Sequence, residues 1–219
     1  MAINFLNPLS DKSLNQRFRA KRFKFFSALL YTVKSNKPLN ILDVGRRENY
    51  WERMSYSDNN NVHITLLNLE KVITKNNNFT SIKGDASDLS LFKDKEFDIV
   101  YSNSAIEHLF SKANQKKMAD EARRVGKCYY IQTPNFYFPI EPHWLFPFFQ
   151  FLPFNVRVFL TRNLNLGHYK KAVNKEEAVQ RINEVKLLTE LEMKELFPDG
   201  KVYKEILFGL TKSITMYRF

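Results

Sequence analysis

Short apolar runs alternate with longer polar and amphipathic stretches along this chain. Each run is bounded by polar residues or glycine, as expected for strands buried within a sheet. A stretch with helical spacing follows the fourth run and is stopped by Gly126, which predicts a helix over residues 112–125. Strands that alternate with helices in this way indicate a mostly parallel sheet covered on both faces. The predicted strands are residues 39–44, 63–67, 80–83, 97–101 and 127–133.

A helical segment is predicted before the first strand. Ser10 or Asp11 can cap a helix that runs to about residue 33, and Pro38 forbids its continuation. We predict one domain over residues 1–219, in which residues 1–38 form this segment. A chain of this length can bury a substantial core without a disulfide or a structural metal.

A second capping signal and a pair of strands lie near the C-terminus. Thr189 can cap a helix, with Glu192 as its capping-box partner. The runs at 202–208 and 213–217 are separated by a short turn that contains Gly209. They predict a closing antiparallel hairpin.

The net charge and the cysteine content limit which cellular compartment and which kind of binding partner are expected. The chain has 219 residues, one cysteine and a formal net charge of +11. Because one cysteine makes no disulfide framework and neither a signal peptide nor a spanning apolar stretch is visible, we expect a cytoplasmic protein. The charge favours an anionic partner or surface, although the basic residues of 17–24 also read as a solvated helix face. Nucleic acid is the less favoured partner, since no zinc spacing or RNA-binding aromatic motif is present.

Polar residues gather where the predicted strands end. Asp85 follows the third strand in GDASDL, and Ser102 follows the fourth in SNSAIEHL. In open α/β sheets, ligands bind beyond the carboxyl ends of parallel strands. The stretch 84–109 resembles the middle of class I S-adenosylmethionine-dependent methyltransferases of the type 11-like group. The resemblance implies a Rossmann-like α/β fold with an antiparallel C-terminal hairpin, S-adenosylmethionine as cofactor and S-adenosylhomocysteine as product.

The loop after the first strand departs from the pattern of that family. The family has an acidic residue and three alternating glycines there, whereas this chain has Asp43 and Gly45 followed by Arg46 and Arg47. Asn49 stands at the third glycine's place and can adopt a left-handed conformation. Either arginine could form a charge-assisted fork to the cofactor carboxylate. Two outcomes stay open: an altered but working cofactor site, or a domain that has lost it.

Further cofactor contacts are implied at the other strand ends. Asn68 or Glu70 could serve the ribose hydroxyls, and the sequence leaves both open. Asp85 is expected to hold the adenine amine, with Ala86 beside it, and a turn aspartate is the alternative. Ser102 is expected next to the cofactor at the end of the fourth strand.

An insertion rich in proline and aromatic residues follows the fifth strand. It begins TPNFYFPIEPHWLFPFFQFLPFNVRVFL, and its four prolines within 134–147 exclude regular helix there. A loop of this size is commonly a lid, a substrate pocket or an interaction surface, and we assign it residues 134–170. The elements TPN and FPIEPH resemble a methyltransferase subgroup associated with bacterial surface polysaccharide and lipid-linked glycan pathways.

Candidate catalytic groups come from the insertion and from the end of the fourth strand. Glu141 and His143 could be a general base and its partner, since a sugar hydroxyl attacks more readily when its proton is accepted. The resemblance places His108 near the reactive end of the cofactor. Tyr137 and Trp144 could stack on a sugar face or on the sulfonium charge. A hydrogen-bonded loop histidine and a core aromatic residue are the structural alternatives.

We predict a single-domain enzyme that transfers methyl from S-adenosylmethionine to a hydroxyl group, without a metal. The favoured acceptor is a glycan or lipid-linked sugar of polysaccharide biosynthesis. The alternatives are a non-catalytic binding module on the same fold, or an RNA or protein methyltransferase. Basic residues near the N-terminus and the aromatic run 144–154 also predict peripheral contact with the inner face of an anionic membrane.

Overall fold

Residues 14–56 and 59–219 are described by the computed structural model, and a helix comes first within them. Helix α1 spans Leu14–Leu30 and is followed by short hydrogen-bonded turns, so it ends before the predicted residue 33. The predicted caps Ser10 and Asp11 lie outside the described residues. α1 leads directly into the first strand of the sheet.

The central element is a seven-stranded sheet. Its strands are β1 (Leu39–Val44), β2 (Val62–Asn68), β3 (Phe79–Lys83), β4 (Phe97–Asn103), β5 (Gly126–Pro134), β8 (Lys201–Leu207) and β9 (Leu210–Arg218), while β6 (Ile140–Glu141) and β7 (Phe146–Pro147) pair separately. The order is β3, β2, β1, β4, β5, β9, β8. Strands β1 to β5 pair in parallel, and β9 pairs antiparallel with both β5 and β8. The predicted fold class, with its C-terminal hairpin, is therefore confirmed.

Helices cover the sheet, and several of them begin at a side-chain cap. After α1 come α2 (Glu48–Arg53), α3 (Lys112–Val125), α4 (Phe154–Asn163), α5 (Lys175–Asn183) and α6 (Glu190–Leu196). The bounds of α3 agree with the prediction, and the capping box of Thr189 and Glu192 at the start of α6 is confirmed. Within the described ranges, no helix is long and apolar enough to cross a membrane.

Two apolar cores lie on opposite faces of the sheet. On one face, Phe26, Trp51 and Tyr101 are fully buried between α1, α2 and the strands. On the other face, α3 and α6 contribute Met118 and Met193, which are also buried. Large aromatic side chains at such positions each stabilise the fold by several kcal/mol, about 3–5 on truncation to alanine. The strands of the sheet therefore lie between two packed layers.

The insertion after β5 has a small core of its own. Residues 134–147 contain no helix, as their prolines predict, but a 3₁₀ turn at Phe149–Phe151 and then α4 follow. Trp144 and Phe149 pack with residues of α4 and α5, so the packed unit extends past residue 170. This core fixes the insertion above the carboxyl end of the sheet.

Candidate active site

Two adjoining cavities open at the carboxyl ends of β1, β2 and β4. The larger measures about 510 Å³, and we call it the strand-end cavity. The smaller measures about 290 Å³, lies beneath the insertion and is called the insertion cavity. Ser104 and His108 line both, so groups bound on either side can meet there. Among the predicted residues, the strand-end cavity is lined by Gly45, Asn68, Glu70, Asp85, Ala86 and His108.

The turn after β1 keeps one glycine where the backbone requires it. Gly45 has φ of +93°, and a Cβ there would lie 2.8 Å from the Cβ of Ala105. Any larger residue would therefore both strain the backbone and push into the cavity wall. Asn49 does not take the expected left-handed conformation, because it lies inside helix α2, which starts directly after Arg47.

Both loop arginines line a third cavity together with Arg19, and each also lines one of the two cavities described above. Arg47 lines the strand-end cavity, whereas Arg46 lines the insertion cavity, with its guanidinium 5.4 Å from the centroid of the Tyr50 ring. The backbone carbonyl of Arg46 accepts a hydrogen bond of 2.9 Å from the side chain of Asn68. Asn68 therefore ties the β1 loop to the end of β2. Either Arg46 or Arg47 could therefore form the predicted two-bond fork to a cofactor carboxylate.

Asp43 does not line either cavity, contrary to the prediction. Its side chain is fully buried and accepts a hydrogen bond of 2.5 Å from the indole nitrogen of Trp51. Burial raises the pKa of Asp43 to about 7, although Trp51 and Arg46 act in the opposite direction. The residue anchors α2 beneath the loop and positions Gly45 and Arg46 from behind.

Ser102 is also buried instead of facing the cofactor region. Its hydroxyl donates a hydrogen bond of 3.2 Å to the carbonyl of Val44, across the β1–β4 pair. The serine at the cavity is Ser104, two residues further on, which has φ of +56° and donates to the side chain of Gln132. Ser104 belongs to the polar strand end 102–104 that the sequence predicts as a source of ligand contacts, whereas nothing in the sequence singled out Gln132.

The end of β2 offers an amide and a carboxylate to the strand-end cavity. The strand stops at Asn68, and Glu70 lies in the bend beyond it. Both residues line the cavity. The side-chain amide of Asn68 donates its hydrogen bond to the β1 loop, whereas Glu70 is exposed. Glu70 is thus the group with two acceptor oxygens available for a vicinal diol.

Asp85 combines a turn role with a place on the cavity wall. One carboxylate oxygen, Oδ1, accepts hydrogen bonds from the backbone nitrogen and the hydroxyl of Ser87, at 2.8 and 2.9 Å. This turn holds the carboxylate in one orientation beside the cavity. Ala86 lines the same wall and packs against the core, so the two predicted residues stand together.

Three predicted catalytic residues form one connected chain. A carboxylate oxygen of Glu141 lies 2.6 Å from Nδ1 of His143, and Nε2 of His143 lies 3.2 Å from Nε2 of His108. Glu141 is buried and also accepts hydrogen bonds from the backbone nitrogens of His143 and Trp144. The carboxylate therefore fixes the imidazole of His143 with Nδ1 as donor and Nε2 toward the cavities.

The environments of the two histidines shift their pKa values in opposite directions. Burial lowers the pKa of His108, with the charge of His143 as a further lowering cause. Burial opposes the charge of His143, but the hydrogen bond to Glu141 and the negative charges of Glu141 and Glu107 together outweigh that penalty, so the pKa of His143 is raised. His143 is consequently the more basic of the two. Such a pair, with pKa values driven apart, is suited to taking up a proton.

Glu107 adds a buried carboxylate to this cluster. Its Oε2 accepts a hydrogen bond of 3.1 Å from the hydroxyl of Thr133, and its Oε1 has no hydrogen-bond partner among the described residues. Oxygen or nitrogen atoms of Glu107, His108 and His143 lie within 4.8 Å of one another, close enough to hold a cation. The cluster can thus bind either a proton or a cation, and a chelator separates the two cases.

Two basic residues of α1 turn inward, which the sequence did not indicate. Arg22 is buried, with Nε 3.2 Å from a carboxylate oxygen of Glu205 and one terminal nitrogen 2.6 Å from the amide oxygen of Asn103. Arg19 lines the insertion cavity one turn earlier. Arg19, Arg22 and the core residue Phe26 are three and four positions apart, a helical spacing that places all three on one face of α1.

The aromatic residues expected to stack on a sugar do not line the insertion cavity. Trp144 is buried, stacks on Phe149 with ring centroids 4.5 Å apart and donates a hydrogen bond to Thr161. Tyr137 is 65% exposed at the surface of the insertion. The apolar part of the cavity wall comes from Phe138 and Ile140 instead.

Comparison with known proteins agrees with this geometry. Residues 49–128 match the family described as a methyltransferase domain. A SAM-dependent methyltransferase from Archaeoglobus fulgidus is similar over 98% of both chains, with 11% identity and a TM-score of 0.56. A SAM-dependent methyltransferase from Methanosarcina mazei is similar over 86% of this chain and 94% of its own, with 14% identity and a TM-score of 0.51. No curated protein sequence matches this chain.

The strand-end cavity fits the cofactor that such proteins use. It offers the carboxylates of Glu70 and Asp85, apolar walls from Leu67 and Leu109, and at Gly45 a close backbone approach that a Cβ would block. These are the donor and shape requirements of a nucleoside with a ribose diol. The match over residues 49–128 is to a methyltransferase domain, and the fold is that of the SAM-dependent methyltransferases compared above.

Proposed function

We propose that the protein transfers methyl from S-adenosylmethionine to a hydroxyl group of a glycan or lipid-linked sugar. The observation that carries the proposal is the chain from Glu141 through His143 to His108, which ends where the two cavities meet. A buried carboxylate that orients an imidazole is the usual arrangement of a general base. It supports O-methylation because a hydroxyl, unlike a thiolate or a neutral amine, benefits from proton removal as it attacks.

The residues act by positioning and by proton transfer. When bound, the cofactor supplies an electrophilic methyl group, and the rate depends on holding the acceptor oxygen in line with that methyl and its sulfur. The hydrogen-bonded pair of His143 and His108 takes the proton of the acceptor hydroxyl, and Glu141, bonded to Nδ1 of His143, balances the charge of the resulting imidazolium. His108 stands on the boundary of both cavities, where that hydroxyl would lie.

The acceptor class and the pathway are tested with labelled cofactor. Incubation with cell-envelope glycans, RNA and protein fractions should place the label in the glycan fraction, as expected for polysaccharide biosynthesis. Label in RNA or protein alone would contradict the sugar acceptor and leave methyl transfer intact. Absence of S-adenosylhomocysteine binding in calorimetry would favour the alternative of a non-catalytic binding module on this fold.

Asp85→Ala should weaken S-adenosylhomocysteine binding by about 1–3 kcal/mol, roughly 5- to 150-fold, because the adenine amine loses a carboxylate acceptor. Calorimetry measures the change. Asp88→Ala is a matched control, since Asp88 accepts a similar turn hydrogen bond from Ser90 and does not line the strand-end cavity. Equal losses in both variants would make Asp85 a turn residue only.

Peripheral membrane contact is a second part of the proposal, and the insertion carries it. We define the aromatic patch as Tyr137, Phe148, Phe151, Phe154 and Phe159, which are 65%, 56%, 46%, 41% and 64% exposed. Ring contacts join Phe151 to Tyr137 and Phe148. The acidic residue within 135–172 is the buried Glu141, whereas Arg157, Arg162, Lys170 and Lys171 are basic. An acid-free aromatic and basic surface suits the interface of an anionic bilayer.

Flotation with anionic liposomes at low salt should recover the wild-type protein. Phe148→Ser together with Phe159→Ser should reduce partitioning by up to about a hundredfold, because each inserted phenyl group contributes about 1.5 kcal/mol or more. Phe208→Ser is a matched control, since Phe208 is 91% exposed on the hairpin turn and outside the patch. If the fraction of protein recovered with the liposomes is the same for neutral and anionic lipid, and the same for the double phenylalanine variant, membrane contact at this surface is contradicted.

A further inference from the structure

The insertion cavity carries more positive than negative charge. Its wall includes three histidines besides the cations, and the carboxylate on the wall is that of Glu107. Glu107 is fully buried and one of its oxygens is engaged by Thr133. The basic side chains of the wall are Arg19, Arg22, Arg46 and Lys212.

Arg22 is neutralised within the protein, so it is not the cation that faces a ligand. Its guanidinium pairs with Glu205 at 3.2 Å and with Asn103 at 2.6 Å. Glu205 is 2% exposed and also accepts a hydrogen bond from Ser213, so it belongs to the interior. The positive charge of the wall beyond this pair comes from Arg19, Arg46 and Lys212, and Nζ of Lys212 lies 4.5 Å from the centroid of the Phe18 ring.

Arg19, Arg46 and Lys212 repel one another across the cavity. Burial lowers the pKa of Lys212 to about 8, and the charges of Arg22 and Arg19 lower it further. Burial also lowers the pKa of Arg19, with Arg46 as the next cause. Within residues 14–56 and 59–219, Arg19 and Arg46 form no ion pair, and Nε of Arg46 is buried without a hydrogen-bond partner. Like charges held this close favour a bound anion.

We propose that the methyl acceptor carries an anionic group, a phosphoryl or a carboxylate, which Arg19 and Lys212 bind in the insertion cavity. The proposal deepens the proposed function and rests on it, since it names the acceptor chemistry of the same site. The planar guanidinium of Arg19 can form a two-bond fork to either anion, and the ammonium of Lys212 adds a point charge. His143 lines the same cavity, so an anion anchored there leaves a neighbouring sugar hydroxyl beside the base.

The proposal separates the roles of the cations at the two cavities. Arg47 faces the strand-end cavity and remains available to the cofactor carboxylate, whereas Arg19 lines the insertion cavity and not the strand-end cavity. An Arg19 variant should therefore affect the acceptor and spare the cofactor. That asymmetry distinguishes an acceptor site from a general electrostatic effect of the charge of +11.

The test is calorimetry of the full-length protein with three probes: glucose 1-phosphate, glucuronate and methyl glucoside, each titrated with and without S-adenosylhomocysteine. At least one anionic probe should bind about tenfold or more tightly than the neutral one. Arg19→Gln or Lys212→Met should weaken that binding by about ten- to one-hundredfold, as expected for loss of a charged hydrogen bond. Arg17→Gln is the matched control, because Arg17 is exposed on the same helix and outside the cavity.

Each outcome decides the proposal. Binding of the phosphate probe alone assigns a phosphoryl acceptor, and binding of glucuronate alone assigns a carboxylate. The proposal is overturned if neither anionic probe binds more tightly than methyl glucoside. It is also overturned if Arg19→Gln weakens the binding of S-adenosylhomocysteine and leaves the binding of the anionic probe unchanged. Because the probes are also titrated without cofactor, failure of S-adenosylhomocysteine binding would contradict the proposed function separately.

Discussion

His143→Ala should lower kcat for methyl transfer by about 10²–10⁴-fold, the range expected when a general base is removed. The imidazole is held by Glu141 at 2.6 Å and lines the insertion cavity, with Nε2 3.2 Å from His108 at the junction of the two cavities. Affinity for S-adenosylhomocysteine should stay nearly unchanged, because His143 does not line the strand-end cavity. Turnover of labelled cofactor and calorimetry measure the two quantities.

The pH profile and a control variant separate the base from a structural role. The base acts unprotonated, so the rate should rise with pH through the pKa of His143, which Glu141 holds above its ordinary value. This rising limb should disappear in His143→Ala and persist in His63→Ala, since His63 lies on β2 and bonds to Thr80. An equal loss of cofactor affinity in His143→Ala would make the residue structural.

Chelation decides whether the same cluster works with a cation. Under the base mechanism, wild-type protein treated with EDTA should keep its rate, because proton transfer to His143 requires no metal. A rate that falls with EDTA and returns with Zn²⁺ would mean that Glu107, His108 and His143 bind a cation.

Arg22→Met should reduce the free energy of unfolding by about 3–5 kcal/mol, the usual cost of leaving one member of a buried ion pair without its partner. Glu205 is 2% exposed, and within residues 14–56 and 59–219 its carboxylate keeps, without Arg22, only the hydrogen bond from Ser213. Asn103 would lose a donor as well. Urea denaturation measures the change as a shift of the midpoint at constant slope.

The double variant and a neighbouring lysine make this test specific. Arg22→Met with Glu205→Met should recover most of the loss, because replacing both charges by apolar groups is often nearly neutral. Lys21→Met changes the adjacent exposed cation of α1 and should stay within about 0.5 kcal/mol of wild type. If Arg22→Met alone is as stable as Lys21→Met, the pair of Arg22 and Glu205 contributes nothing to stability.

The predicted catalytic chain and the predicted cofactor residues were not equally visible in the sequence. Glu141 and His143 are two residues apart in a proline-bounded segment, so a local pattern sufficed to propose that they act together. Asp43 and Ser102 were assigned to the cavity because they end strands. Side chains alternate along a strand, however, and the pleat turns Asp43 toward Trp51 while Val44 reaches the cavity.

The charged residues of α1 show the same limit for helices. Arg19 and Arg22 belong to a basic cluster that reads as a solvated face, and their helical spacing to Phe26 is a local sign that they turn inward. Glu205, the ion-pair partner of Arg22, and Lys212, a like charge near Arg19, lie on the hairpin almost two hundred residues later. The buried charge of Arg22 is favourable because a distant strand supplies the opposite charge.

The sequence by itself determined the order of strands and helices, the parallel sheet with its closing hairpin, and the strand ends at which polar groups gather. Period and capping residues carry that information locally, since they act through backbone geometry over a few positions. Only the tertiary structure decided which side chains face the cavities, that Ser104 replaces Ser102 there, and that Arg19 and Lys212 meet. Those contacts depend on packing between segments far apart in the chain, which no local pattern encodes.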